Sequence, residues 1–240
     1  MVHAIAGRKE NALLAALPDA DWAMWARELE LVELHAGQVV HKAGQEPGHV
    51  LFPSTAIVSL LHVTMGGGSA EIAAVGREGL VGFSVFMGGQ STSSEAVVQH
   101  AGKAFRLRAK TVRDTFNAGG PVTLLLLRYT QALIAQIGQT AVCNRFHSVD
   151  HQLCRCLLHN LDRAPGNELL MTHEFIAHLL GVRREGVTQG ALKLQHAGLI
   201  RYFRGHIAVL DRVGLQERSC ECYAVIKHEY ERLVPELAAA

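Results

Sequence analysis

The segment Leu170-Met171-Thr172-His173-Glu174-Phe175-Ile176-Ala177-His178-Leu179-Leu180-Gly181-Val182-Arg183-Arg184-Glu185-Gly186-Val187-Thr188-Gln189-Gly190-Ala191-Leu192-Lys193-Leu194 holds two apolar periodicities parted by a glycine. Thr172 can cap a first helix through its hydroxyl, and Glu174 suits the positive end of that helix. Gly181 ends it. Ala177 is small enough for a second helix to approach closely, and Val187, Ala191 and Leu194, at i, i+4 and i+7, give that second helix a face to bury. The segment predicts a helix-turn-helix.

Directly after it, Ile200-Arg201-Tyr202-Phe203 and His206-Ile207-Ala208-Val209 are two short β-runs around Arg204-Gly205, the pattern of a hairpin wing. From Val182 to Arg212 the chain carries Arg183, Arg184, Lys193, Arg201, Arg204 and Arg212 against Glu185 and Asp211, a local charge of +4 on a chain whose total is +1. Such a patch is the footprint of phosphate contact. Arg184, Glu185, Thr188 and Gln189 fall on the side of the second helix away from its apolar face, so the spacing lets them enter a major groove together. Arg matches guanine, Glu accepts from cytosine, and Gln matches adenine. Arg183 stands where an oxygen-bearing cap would be cheaper and opposes the helix dipole, which marks it as a phosphate contact. Thr172, Lys193, Arg204 and His206 complete the expected DNA-binding set, with the wing residues on the backbone.

Upstream, Pro121 to about Phe146 reads as one long amphipathic helix, with Leu126, Tyr129, Leu133, Ile137 and Thr140 as an apolar stripe at spacings of three and four. A second subunit is the expected cover for that stripe, with packing against the chain's own barrel as the alternative. The region from about Leu31 to Leu107 is punctuated by glycines between short runs, Val50–Phe52, Ile57–Val63, Ile72–Val75, Glu95–Val98 and Ala104–Leu107, which predicts a small barrel or sandwich with a hairpin tip at Gly66-Gly67-Gly68. An N-terminal helical stretch covers Asn11 to Leu29, and a last helix is expected over about Val213 to Leu233.

The totals are those of a soluble globular chain of 240 residues, 49% hydrophobic and 19% charged. No secretory signal or membrane span is legible, and five cysteines form no disulfide framework, so a cytoplasmic protein is expected.

With these residues in place, the chain resembles the Crp/Fnr family of bacterial transcription regulators over nearly its whole length. The likeness is strongest over Thr172 to Ile200, including Gly181 to Thr188 and Ala197-Gly198-Leu199-Ile200. It implies an α+β architecture: a β-roll sensory domain of the cyclic-nucleotide-binding jelly-roll type over residues 1–120, a dimerisation helix and hinge over 121–147, and a winged helix-turn-helix over 148–240. It further implies a homodimer that is not an enzyme, binds double-stranded DNA at an inverted repeat and meets RNA polymerase. A small-molecule signal would act at the β-roll or hinge. In the family an early Arg-Glu pair reads bases, which falls on Arg184 and Glu185, while a later Arg is replaced here by Gln189.

The family's nucleotide cassette would fall on Phe83, Ser84, Ser93 and Ser94. Phe83 stands in place of the acid that holds the ribose and Ser93 in place of the Arg that holds the phosphate, and no Lys or Arg occurs from Glu78 through Gly102. A buried phosphate would lack its charged partner, so tight cyclic AMP binding is not expected. Nor is an iron-sulfur cluster, because the family's oxygen sensors cluster cysteines near the N-terminus and the first here is Cys143. No cofactor or metal is expected. The cysteines read as small buried hydrophobes, although His147, His151 and Cys154 share a helical face beside the hinge and raise a metal or redox switch as a lesser alternative. A cupin-like metal enzyme built on His35, His41, His49 and His62 lacks its His-x-His signature, and a winged-helix module for protein contact is the other alternative.

Overall fold

The structure, a computed structural model, describes residues 7–164 and 166–234. They divide into two compact units. One holds the described residues up to Leu60, Ala74–Ala135 and those from His228 onward; the other holds Leu61–Ala73 and Gln136–Lys227.

In the first unit, Asn11 caps α1 (Ala12–Ala15) by accepting from the amides of Leu13 and Leu14. Its own amide group donates to Pro53 O at 2.9 Å and Gly79 O at 2.8 Å, so this fully buried polar side chain is satisfied on both sides. Pro18 separates α1 from α2 (Asp19–Trp25), which splits the single N-terminal stretch expected from the sequence. Trp25 anchors α2: its indole N–H donates to Thr115 Oγ1 at 3.1 Å and its ring lies 5.8 Å from that of Phe52.

The strands are β1 (Glu30–Leu34), β2 (Val39–His41), β3 (His49–Pro53), β4 (Ile57–Val63), β5 (Ser69–Val75), β6 (Glu95–His100) and β7 (Gly102–Arg108). They form two sheets, ordered β1-β7-β3 and β2-β6-β4-β5. Register is antiparallel where β7 runs between its neighbours, with Phe105 opposite Leu31 on one side and Phe52 on the other. Every short run read from the sequence is a strand, and the glycine triplet is the β4–β5 turn, closed by Thr64 and Gly68. The helix α3 (Ala109–Ala118) follows, then α4 (Pro121–Phe146), a single 26-residue helix in which the division between the units falls after Ala135.

The second unit continues with α5 (Val149–Arg163), β8 (Glu168–Leu170), α6 (His173–Leu180), α7 (Arg184–His196), β9 (Ile200–Phe203), β10 (His206–Val209), α8 (Arg212–Glu217) and the first part of α9 (Cys222–Leu233). Its core gathers Leu153, Leu157, Ile176, Val187, Ala191, Leu194, Ile200, Ile207 and Leu215, with Leu61 packed against it. The ribbon expected to have two strands has three, in the order β8-β10-β9, and the expected last helix is broken between Glu217 and Cys222. No helix among the described residues is long and apolar enough to cross a membrane.

Candidate nucleic-acid interface

The helix-turn-helix forms as its local chemistry dictates. Thr172 Oγ1 accepts from the Phe175 amide at 3.1 Å, and Gly181 closes α6 in the left-handed region at φ 65°. Val187, Gly190, Ala191 and Leu194 turn α7 inward, while Glu185 and Gln189 are exposed on the opposite side and Arg183 and Arg184 are exposed at its first turn. Arg183 is the N-cap of α7 and its side chain caps nothing. Leu192, 48% exposed, belongs to the same outer ridge; the sequence does not single it out, because an isolated leucine there fits either face of so short a helix.

Two members of the expected set are engaged inside the domain. The Thr188 hydroxyl lies 3.1 Å from His173 Nδ1, and that ring stacks on Tyr202 with centroids 4.0 Å apart. Thr188 is half-buried and joins α7 to the start of α6 and to the wing. Lys193 Nζ pairs with Asp150 Oδ2 at 2.7 Å, so its charge is partly spent on α5. Arg212, counted in the cationic patch, is ion-paired with Asp162. Arg184 Nε stands 3.8 Å from Glu174 Oε2, a loose exposed contact. The cations of that patch left outward without an ion pair among the described residues are Arg183, Arg201 and Arg204. Burial and the nearby Arg184 charge hold His173 below the usual imidazole range.

The wing turns through Arg204 at φ 48° and Gly205 at φ 84°, between Phe203 and His206, which face each other in the ladder. Positive φ at both central residues is the tight turn whose twist matches a hairpin. Arg204 is exposed at the tip with its guanidinium 5.0 Å from the Phe203 ring centroid, and His206 is exposed beside it.

The other expected sets are placed differently. Leu126, Tyr129 and Leu133 are buried in their own chain, Tyr129 donating to Leu80 O at 2.7 Å, so this stripe is covered without a second subunit. Thr140 is buried as well, with Arg155 Nη1 3.4 Å from its hydroxyl, and Ile137 is half-buried. The apolar residues that α4 leaves outward in the first unit are Leu124, Leu127 and Ile134. Helical period alone could not choose between the two faces, because Leu124 to Leu127 is apolar on every side.

Of the four cassette positions Ser84 and Ser94 are buried, Phe83 is half-buried and Ser93 is exposed. Phe83 and Ser84 lie in a short 3-10 turn, Ser84 Oγ donating to Gln90 O at 3.4 Å, and Ser94 Oγ pairs with Thr92 Oγ1 at 3.2 Å. A cavity of about 340 Å³ is lined by Val32, Gln38, His41, His49, Gly82 and Arg106.

The rings of His147 and His151 meet edge to face with centroids 5.9 Å apart, but Cys154 belongs to the core cluster. His151 is exposed and Cys154 is in the core of the unit, where burial pushes its thiol up to about 11; Cys156 is likewise pushed up to about 12. These two are small hydrophobes, as expected. His147 instead joins Cys143, Cys220 and Cys222, whose donor atoms all lie within 4.8 Å of one another.

Residues 151–218 match the Crp-like helix-turn-helix domain. No curated protein sequence matches the chain. Among solved structures the chain is similar to a protein assigned to the Crp/Fnr family from Eubacterium rectale, at 18% identity and a TM-score of 0.68, covering 87% of this chain and 97% of that one. It is similar to FixK2 from Bradyrhizobium japonicum, at 14% identity and 0.67, covering 80% and 98%. A CRP/FNR-family transcriptional regulator from Thermus thermophilus matches at 21% identity and 0.63, covering 79% and 98%.

Proposed function

Residues 151–218 match the Crp-like helix-turn-helix domain and the chain shares the fold of solved Crp/Fnr regulators, and from there we propose that the protein is a homodimeric, sequence-specific, DNA-binding transcription regulator rather than an enzyme. One observation carries the reading: Glu185 and Gln189 are exposed on the outward side of α7, with Arg183 and Arg184 exposed at its first turn, while its other side is buried. In this proposal α7 lies in the major groove, Arg184, Glu185 and Gln189 meet base edges, and Leu192 offers an apolar contact to a thymine methyl. Arg183 and the wing residues Arg204 and His206 meet phosphates. Lys193 can join them by exchanging Asp150 for a phosphate, and Thr172 and Thr188 hold the reading helix in place.

The two-fold partner is a second copy of the chain, packed along Leu124, Leu127 and Ile134. Their spacing of three and seven residues is that of a coiled-coil seam. Two-fold symmetry makes the operator an inverted repeat with half-sites about 34 to 36 Å apart. A signal that shifts the segment Phe146 to Asp150 would re-space the two reading helices, provided it binds the two arrangements unequally. That signal is not cyclic AMP in this proposal, since the cassette positions carry neither acid nor base; RNA polymerase is the expected protein partner once DNA is bound.

The test is selection of bound duplexes from a randomised pool, followed by titration of the winner and of a scrambled duplex. Arg184→Ala should cost about 1 to 3 kcal/mol on the selected site and relax one base position, whereas Arg183→Ala should weaken both duplexes alike and lower the salt slope by about 1. Equal losses on both duplexes for Arg184→Ala, or binding insensitive to salt, would remove the assignment.

A further inference from the structure

The cluster of Cys143, His147, Cys220 and Cys222 is unused by DNA recognition and lies wholly within the second unit. Cys143 and His147 are one turn apart near the end of α4, and Cys220 and Cys222 sit where the chain breaks between α8 and α9. The Sγ atoms of Cys143 and Cys220 are 3.6 Å apart, and Cys222 Sγ is 3.4 Å from His147 Nδ1. A tetrahedral ion with metal–sulfur bonds near 2.3 Å and a metal–nitrogen bond near 2.0 Å has donor edges of about 3.8 Å between sulfurs and about 3.5 Å between sulfur and nitrogen. These two edges are close to those lengths, and all four donor atoms lie within 4.8 Å of one another.

The surroundings are those of a ligand sphere. His147 turns Nδ1 toward the sulfurs and sets Nε2 3.4 Å from Glu221 Oε1, the carboxylate–histidine arrangement that orients a metal-binding imidazole. Gln139 Nε2 donates to Cys222 Sγ at 3.1 Å. The three cysteines are buried, so water is kept from the donors. Thiols are weak hydrogen-bond donors, and S–H contacts are a poor return for bringing three thiols and an imidazole together.

A second observation is independent of the cluster's own geometry. Arg155, 7% exposed, has no ion pair among the described residues, and its Nε is buried without a hydrogen-bond partner. Burial pushes the Cys143 thiol up, and the Arg155 charge opposes that push. A divalent ion held by three thiolates and a neutral imidazole carries a net charge of −1, which is the counter-charge that this buried guanidinium lacks.

We propose that Cys143 Sγ, His147 Nδ1, Cys220 Sγ and Cys222 Sγ form a closed, four-coordinate site for one divalent cation of the zinc class, which clips the end of α4 to the α8–α9 junction. The donor set is soft and complete, with no position left for water or substrate, so the role is structural rather than catalytic. The donor atoms are too close together for an iron-sulfur cluster, whose ligands must surround several metals. This inference does not rest on the DNA-binding reading, because its test uses no DNA.

The full chain, purified under reductant and reconstituted with zinc, then freed of loose metal, should hold about one zinc per chain by elemental mass spectrometry. Cobalt in its place should give thiolate charge-transfer and intense tetrahedral visible bands, and X-ray absorption should count three sulfurs and one nitrogen. The Cys220→Ser/Cys222→Ser variant should lose at least ten-fold in bound zinc, while Cys154→Ser, outside the cluster, should keep it. If the double variant fails to fold, the cobalt spectrum of the unaltered chain decides. A zinc content below a tenth per chain, an octahedral cobalt spectrum, an equal loss in Cys154→Ser, or a Cys143–Cys220 disulfide in place of metal would overturn the proposal.

Discussion

Arg183 occupies the position where a helix most rewards an oxygen acceptor, and its side chain supplies none. Arg183→Asp should therefore raise the unfolding free energy by about 0.5 to 2 kcal/mol through capping and the helix dipole, while duplex affinity falls at every sequence. Denaturant titration and binding titration of the same variant check the opposed signs; a variant gaining both would remove the phosphate role. His159 makes a different residue-scale prediction. Burial first, then the charges of Arg163 and Arg155, hold its imidazole well below the usual range, so it is neutral in the fold. Its folded value is below its unfolded one, so the unfolded chain takes up the extra proton. The stability it contributes is complete above about pH 6.5 and is lost as pH falls, with a slope approaching about 1.4 kcal/mol per pH unit for one proton. His41 and His173 shift the same way, chiefly by burial. His159→Leu should flatten the curve by one proton's worth in unfolding titrations between pH 5 and 7; an unchanged slope would show that His159 is protonated when folded.

At the scale of the element, the wing hairpin sets a strained turn against a useful charge. Arg204 holds φ 48°, a conformation that costs a non-glycine residue about 1 to 2 kcal/mol, while Gly205 holds φ 84° with no such cost. Arg204→Gly should melt no earlier than the parent yet bind duplex more weakly. Gly205→Ala should lose about 1 to 3 kcal/mol, since a Cβ there is strained and comes within 3.3 Å of Thr172 Cγ2, beside the cap of α6. Thermal melts of the two variants should move in different directions, and a neutral Gly205→Ala would disprove the turn geometry. This element was legible in the sequence because a two-residue turn between β-runs is a local signal. The third strand, Glu168–Leu170, was not, because three residues carry too little pattern to be read without their partner.

For the whole molecule, the question is which face of α4 meets a second copy. The buried face, with Leu133 1% exposed, belongs to the chain's own core, whereas Ile134 is 61% exposed. Leu127→Glu/Ile134→Glu should convert a dimer to folded monomer in sedimentation, with duplex affinity falling accordingly. Leu133→Ala should instead cost about 2 to 5 kcal/mol of fold stability without a selective effect on assembly. A double variant that remains dimeric would move the seam elsewhere.

Short-range chemistry wrote the Thr172 cap, the Gly181 stop, the inward period of Val187, Ala191 and Leu194, and the glycine-bounded strands into the order of residues. Which apolar stripe of α4 is covered emerges from packing alone, because a stripe is defined by what lies on it. The same packing joined Lys193 to Asp150 and Thr188 to His173, and brought Cys143 to Cys220 across 77 residues of chain. Contacts at that range leave no periodicity to read, since their cost and reward are settled by the folding of everything between them.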